Sequence, residues 1–112
     1  MHEYSLVLSL IERVEEEMRR HQATAAHRIQ VSVGDLSGVE AELLASAFEI
    51  ARESTALRTT QLLVTRVKAH WQCTHCGQDI QGDEHLSCAS CGGPARLTAG
   101  GDILFESVEL EV

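Results

Sequence analysis

The chain has 112 residues, of which 44% are hydrophobic and 23% charged, and its formal net charge is −8. These values are typical of one folded globular domain and exclude a disordered tail or a fibrous repeat. The negative charge disfavours nucleic acid and anionic lipid as partners, because no cluster of lysine and arginine reverses the field locally. The sequence shows no signal-peptide pattern and no apolar run approaching about 18 residues. We therefore expect a cytoplasmic protein that is not inserted in a membrane.

Apolar periodicity predicts a helix, a strand and a second helix in the first half of the chain. Between Ser5 and Arg20 the apolar residues recur every three or four positions, which is typical of an amphipathic helix. Residues 28–33 alternate between polar and apolar side chains, as a half-buried strand does. Ser37 and Glu40 have the spacing of a capping box, so a second helix is expected directly after Ser37. The apolar stripes of the two helices are Val7, Leu10, Ile11, Val14 and Met18, and then Leu43, Leu44, Ala47, Phe48 and Ala51.

The second half of the chain predicts two more strands. The segment TTQLLVTRVKAHW at 59–71 alternates and is rich in β-branched residues, which indicates one long strand, and DILFESVELEV at 102–112 indicates another. A strand, helix, strand unit favours a parallel crossover. We therefore predict an α/β (α+β) fold with a small three-stranded mixed sheet and two helices on one face. The residues expected to share a face are Leu63, Val67, Ala69 and Trp71 in the first strand, and Leu104, Val108, Leu110 and Val112 in the second.

All four cysteines lie between these two strands, in a segment without an apolar stripe. They form the pairs C-T-H-C at 73–76 and C-A-S-C at 88–91, and a glycine follows each pair. Two such knuckles supply the four thiolates that tetrahedral zinc prefers, and they leave no position for water or substrate. Thiols are kept reduced in the cytoplasm, which favours metal over disulfides. We therefore predict a structural zinc site in a zinc-ribbon-like loop, with Cys73, Cys76, Cys88 and Cys91 as ligands.

Two other interpretations of this segment are disfavoured. A redox C-x-x-C pair normally opens a helix, which Gly77 and Gly92 disfavour, and a disulfide framework would need an oxidising compartment. His70, His75 and His85 flank or interrupt the loop. Four sulfurs already saturate the metal, so these histidines are expected to be solvated or to support the site from outside, although they could also respond to pH.

The start of the chain, M-H-E, places an imidazole one peptide bond from the α-amine. The bulky His2 is expected to leave Met1 in place. The amine, the deprotonated His2 amide and the imidazole can then close two chelate rings, with the Glu3 amide as a fourth nitrogen. Such a planar set suits Ni(II) or Cu(II) better than zinc. Taken alone, the three residues favour a solvated histidine beside a flexible terminus over a metal site.

The order of motifs along the whole chain resembles the HypA/HybF family of hydrogenase nickel-incorporation proteins. The resemblance rests on MHEYSL at the start, the two helices, C-x2-C-G and C-x2-C-G-G-P, and the ending GGDILFESVELEV. It implies a nickel metallochaperone for [NiFe] hydrogenase maturation that works with a GTPase and the hydrogenase large-subunit precursor. An enzyme is not expected, because the sequence shows no paired nucleophile and base, no phosphate loop and no open metal position. The resemblance also implies nickel binding through His2 and the backbone nitrogens of Met1 and Glu3. An acidic residue at the position of Glu40 is linked to the nickel site as well, although the capping box gives Glu40 a structural role of its own.

The resemblance also suggests how the chain is divided. Residues 1–69 and 98–112 are expected to form a nickel-binding α/β domain, and residues 70–97 a zinc-binding loop domain. Some family members have histidine directly after each knuckle, where this chain has glycine, so coupling of zinc to nickel through such histidines is not implied here. The alternative function is a zinc-ribbon module that binds protein or nucleic acid and has no nickel role.

Overall fold

In the computed structural model of the chain, the described residues are 2–80 and 87–112, without the side chain of His2. Within these residues the chain forms two α-helices, one 3-10 turn and six strands. They are α1 (His2–Arg20), β1 (Ala25–Gly34), α2 (Ala41–Ala51), the 3-10 turn (Arg52–Ser54), β2 (Gln61–Val67), β3 (His70–Cys73), β4 (Asp79–Ile80), β5 (Ala95–Ala99) and β6 (Ile103–Glu111).

The main sheet has three strands in the order β2-β1-β6, and both helices pack on one of its faces. Strand β1 is parallel to β2 and antiparallel to β6, so the predicted small mixed sheet is confirmed. The alternation in β1 decides which face is covered, because Ile29, Val31 and Val33 are all buried under the helices. The core cluster also includes Val7, Ile11 and Val14 of α1, and Leu44, Ala47, Phe48 and Ala51 of α2.

Helix α2 begins later than the capping box predicts. Its first residue is Ala41 and its N-cap is Glu40. The Ser37 hydroxyl accepts a hydrogen bond from the Val39 N–H at 3.3 Å, a local turn that competes with helix formation. The Glu40 N–H donates to the Glu3 carboxylate, Oε2, at 3.3 Å. The predicted capping box is therefore wrong, and this contact joins the starts of the two helices.

The long strand predicted over residues 59–71 is two strands, separated at Lys68 and Ala69. Strand β2 belongs to the main sheet, whereas β3 joins a second antiparallel sheet in the order β4-β3-β5. Gly100 lies against the chain at this break. Its φ is +86°, and a Cβ atom on Gly100 would lie 2.6 Å from the Cα of Ala69. The contact that interrupts the strand comes from a residue far along the chain, so local alternation could not reveal it.

The predicted face of β6 is wrong for Leu104. Gln30 of β1 lies opposite Ser107, but the next residue, Val31, lies opposite Phe105. The extra residue in between is Glu106, a β-bulge that reverses which side chains face the core. As a result Phe105 packs against the helices together with Val108 and Leu110, while Leu104 and Val112 are exposed. In β2 the core side chains are Leu62 and Val64, and Leu63 is exposed on the opposite face.

The second sheet, of which the sequence predicted only the start of β3, makes the molecule elongated. The principal extents are 55 × 27 × 16 Å and the radius of gyration is 17.9 Å, compared with about 13 Å for a compact domain of this length. Strand β5 spans the boundary expected between residues 97 and 98. The helices in the described part of the chain include none that is long and apolar enough to cross a membrane.

Candidate metal centres

The two cysteine knuckles have the same backbone hydrogen-bond pattern. In the first, the Cys73 N–H donates to the Gln78 carbonyl and the Gly77 N–H donates back to the Cys73 carbonyl, at 2.8 and 3.1 Å. In the second, Cys88 makes the equivalent pair with the Gly93 carbonyl and the Gly92 N–H, both at 2.8 Å. Gly77 and Gly92 have φ values of +76° and +73°, which residues with a Cβ rarely adopt. Each C-x2-C-G sequence therefore closes a turn that brings its two sulfurs to one side.

The four cysteine sulfurs converge on one point. All lie within 4.8 Å of one another, with Sγ–Sγ distances of 3.4 Å for Cys73 and Cys91 and 3.7 Å for Cys76 and Cys88. A tetrahedral zinc with Zn–S bonds of about 2.3 Å would hold its sulfurs about 3.8 Å apart, whereas a disulfide needs about 2.05 Å. These residues therefore fit a four-thiolate metal centre, and all four are free of disulfides.

Backbone N–H groups in the two turns also lower the pKa of two of the four thiols. The N–H groups of Cys76 and His75 point at the Cys73 sulfur, at 3.5 and 3.4 Å, and lower the pKa of the Cys73 thiol to about 6. Backbone N–H groups of Cys91 and Ser90 lower the pKa of Cys88 in the same way. Hydrogen bonds to the charged form favour ionisation in both cases.

Cys91 shows the opposite behaviour. The Gly93 N–H acts to lower the pKa of its thiol, but the neighbouring sulfurs, Cys73 first among them, and burial together raise it to about 12. Several thiolates so close together repel one another, and a divalent cation removes that repulsion. The donor set therefore favours a metal that prefers sulfur, as zinc does.

One glycine lets the chain pass directly behind a sulfur. A Cβ atom on Gly93 would lie 2.9 Å from the Cys73 sulfur and 3.1 Å from the His75 ring. Such a contact would displace a ligand atom, so this position requires glycine. The second glycine of C-x2-C-G-G is visible in the sequence. Only the structure shows that it lies against the sulfur of Cys73, which belongs to the other knuckle.

Two of the three histidines discussed above can be located, and neither belongs to the sulfur cluster. His70 is hydrogen-bonded to Asp79 across β3 and β4, with 3.1 Å between Nε2 and Oδ1. The backbone N–H of His75 contacts Cys73, but among the described residues the metal-ligating group consists of the four cysteines. His85 lies outside the described residues.

Part of the predicted amino-terminal nickel site can be located. Met1 and the imidazole of His2 lie outside the described residues, and the backbone of His2 begins α1. The hydrogen bond from the Glu40 N–H to the Glu3 carboxylate brings together two predicted site residues that are 37 positions apart. Glu40 is the N-cap residue of α2, but within the described chain its side chain makes no capping hydrogen bond. The Glu40 carboxylate is therefore not used to cap the helix.

A cavity of about 360 Å³ lies beside this contact. It is formed where the parallel strands β1 and β2 end and α2 begins, and its lining includes Asp35, Glu40 and Glu42. Crevices at the carboxyl ends of parallel strands are common ligand sites. Asp35, which follows the last residue of β1, lines this cavity together with Glu40, and no local sequence pattern indicates that the two share a site.

Comparison with known proteins identifies the relatives of this chain. The family model described as "Hydrogenase/urease nickel incorporation, metallochaperone, hypA" matches residues 1–110. The chain is 35% identical to hydrogenase maturation factor HypA of Aquifex aeolicus, over 100% of this chain and 99% of the relative. It is 37% identical to HypA of Shewanella halifaxensis, over 99% and 98%.

Solved structures agree with these relatives. The solution structure of the Ni metallochaperone HypA from Helicobacter pylori aligns with a TM-score of 0.69 at 28% identity, covering 97% of both chains. A second solution structure of a HypA protein aligns with a TM-score of 0.78 at 30% identity, covering 98% of this chain and 96% of the other. The similarity thus extends over both sheets.

Proposed function

Because the chain belongs to the HypA family of hydrogenase/urease nickel-incorporation metallochaperones, we propose that it binds Ni(II) at its amino terminus and delivers the ion to [NiFe] hydrogenase during maturation. The family match over residues 1–110 is the observation that carries this proposal. The activity of such a protein is to hold and release a metal ion, so its specificity depends on ligand type and geometry.

The nickel ligands in this proposal are nitrogens at the start of the chain. The α-amine of Met1, the amide and imidazole of His2 and the amide of Glu3 can surround one ion in a plane, as Ni(II) prefers. All of these groups must lose a proton, so acid or a partner with better ligands would release the ion stepwise. The Glu3–Glu40 contact supports Glu40 as a further candidate, because it places that residue beside the start of α1.

The cysteine cluster is proposed to hold zinc in a structural role. Cys73 and Cys76 would supply two ligands from the first knuckle, and Cys88 and Cys91 two from the second, which leaves no open position for substrate. A bound zinc would supply a crosslink between the knuckles. The small second sheet has little apolar surface of its own, since Cys73, Cys88 and Gly93 are the only buried residues in the described part of residues 70–99. A metal is a usual means of ordering such a segment.

The partners follow from the same family. We propose that the protein acts in the cytoplasm with a maturation GTPase and transfers nickel to the hydrogenase large-subunit precursor. The nickel-binding α/β domain would consist of residues 1–69 and 98–112, and the zinc-binding domain of residues 70–97.

A nickel titration of three proteins tests the proposal. The untagged chain, a version with two extra residues before Met1 and the variant His2→Ala would be titrated with Ni(II), following the visible absorption of the bound ion. Only the untagged native chain is expected to bind, because extension turns the Met1 amine into an amide and moves the free amine away from His2, and the substitution removes the imidazole. Equal binding by all three proteins would show that nickel is bound elsewhere. Unchanged zinc content and circular dichroism would confirm that the variants are folded.

A further inference from the structure

The groove between the two helices is bordered by apolar side chains that no described residue covers. Tyr4 and Leu8 of α1 are 39% and 48% exposed, and Leu43 and Ile50 of α2 are 51% and 70% exposed. We call these four residues the apolar stripe. They are spaced by one helical turn in α1 and two turns in α2, so each pair lies on one side of its helix.

Contacts on the far flank of each helix show that both pairs face the groove. The Arg13 guanidinium lies 5.3 Å from the centre of the Phe105 ring, so that flank of α1 faces β6. Leu8 is five positions from Arg13, which places it on the opposite flank, toward α2. In α2, Ala45 and Glu49 line a cavity next to β2, so Leu43 and Ile50 lie on the flank toward α1.

A helix fits this groove better than an extended segment does. Beyond their first turns the two helices offer side chains but no free main-chain groups in the groove, since the backbone there is hydrogen-bonded internally. An extended peptide would bury its own N–H and C=O groups without partners, whereas a helix satisfies them itself. Apolar residues one and two turns apart are also the usual anchors of helix-in-groove recognition.

The charges around the stripe decide which kind of helix would bind. On its solvent side α1 carries Glu12, Glu15 and Glu16 against Arg19, an acidic excess beside the stripe, whereas in α2 Glu49 lies toward β2 and Glu42 is paired with Arg66. Opposite charges at the rim of an interface favour association, and like charges oppose it. A partner helix with lysine or arginine beside its apolar face is therefore favoured. A second copy of this chain would bring the same glutamates together and is disfavoured.

We propose that the apolar stripe is the docking site of a basic amphipathic helix from a partner protein. Tyr4 is two residues from His2, so a helix docked there would lie beside the amino terminus. This last point rests on the proposed function, because it makes the docked partner a neighbour of the nickel ion. The docking itself needs no metal.

A labelled synthetic peptide tests the docking surface. The probe is a helical peptide of about 14 residues, or four turns, with leucines on one face and lysines on the others, and its binding is followed by fluorescence anisotropy. The variants Leu43→Glu and Ile50→Glu are expected to weaken binding about tenfold or more, as loss of a central apolar contact does. Leu104→Glu is the matched control, because Leu104 is 55% exposed on the uncovered face of the sheet and the charge change is identical. It is expected to bind as the unmodified protein does.

Several results would overturn the proposal. Equal weakening by Leu104→Glu, or equal binding of a peptide with glutamates in place of the lysines, would show that the interaction is not specific to the stripe. A concentration-dependent dimer that Leu43→Glu dissociates, seen by analytical ultracentrifugation, would identify a second copy as the occupant. If a glutamate variant is misfolded by circular dichroism, Ile50→Ser makes the same test without a new charge.

The docking proposal and the nickel proposal can fail separately. Leu43→Glu is expected to bind Ni(II) as tightly as the unmodified chain, and His2→Ala is expected to bind the peptide normally. Loss of peptide binding in His2→Ala would contradict docking on the stripe. If the untagged native chain does not bind Ni(II), the proposed function is contradicted, but the docking proposal is not affected.

Discussion

At the scale of single residues, the cysteines show how the backbone turns affect the charge of a metal ligand. Two N–H groups directed at Cys73 lower the pKa of its thiol to about 6, while Cys91, surrounded by the other sulfurs, has its pKa raised to about 12. At neutral pH the site therefore contains both thiolate and thiol. The turns of the knuckles thus favour some of the thiolates that a divalent cation binds.

This difference predicts how many protons zinc displaces. At pH 7 binding is expected to release fewer than four protons, because the Cys73 thiol is already ionised, whereas the Cys91 thiol must still lose its proton. As the pH falls through about 6, Cys73 becomes protonated, and proton release rises while zinc affinity falls. Isothermal titration calorimetry in buffers of different ionisation enthalpy measures this number. Release of four protons at pH 7 would contradict the lowered pKa of Cys73.

At the scale of elements, α2 has three distinct surfaces. Leu44, Ala47 and Phe48 face the core, the flank with Glu49 lines a cavity next to β2, and the flank with Ile50 borders α1. Apolar spacing predicted a single stripe that included Leu43, which the structure leaves exposed. Whether an apolar residue of a helix is buried or exposed thus depends on how closely the neighbouring helix packs against it.

Stability measurements distinguish these surfaces. Phe48→Ala is expected to lower the free energy of unfolding by about 3–5 kcal/mol, because it leaves a cavity in the core. Ile50→Ala is the control on the same helix and is expected to change it by less than about 0.5 kcal/mol. Chemical denaturation followed by circular dichroism gives both values. Similar losses in the two variants would show that Ile50 is packed in solution.

At the scale of the whole molecule, the two sheets are joined by a tight crossing of two glycines. A Cβ atom on Gly34 would lie 2.2 Å from the Gly100 carbonyl oxygen, so the chain segments touch backbone to backbone. The Gly34 N–H donates to the Asp102 carbonyl and the Leu36 N–H to the Gly100 carbonyl, at 2.9 and 2.8 Å. The apolar core lies entirely on the main-sheet side of this crossing, and the cysteine cluster on the other.

This separation predicts the effect of removing zinc. Chelation is expected to expose residues 70–99 to limited proteolysis, because the crosslink that orders them is lost. The helical circular dichroism signal should remain, since the core beneath α1 and α2 contains no cysteine. The same signal measured in Cys76→Ser provides an independent check. Loss of the helical signal on chelation would show that the two parts fold as one unit, against the proposed domain division.

The sequence by itself determined the features that depend on local spacing: the two amphipathic helices, the alternation in β1, and the knuckle turns whose sulfurs converge. Only the tertiary structure decided the features that depend on a distant partner. Gly100 interrupts the predicted long strand, the bulge at Glu106 exposes Leu104, and Glu3 meets Glu40 across 37 positions. The physical reason is that periodicity records which side of an element is apolar, whereas register, close approach and coverage are set by the segment that packs against it.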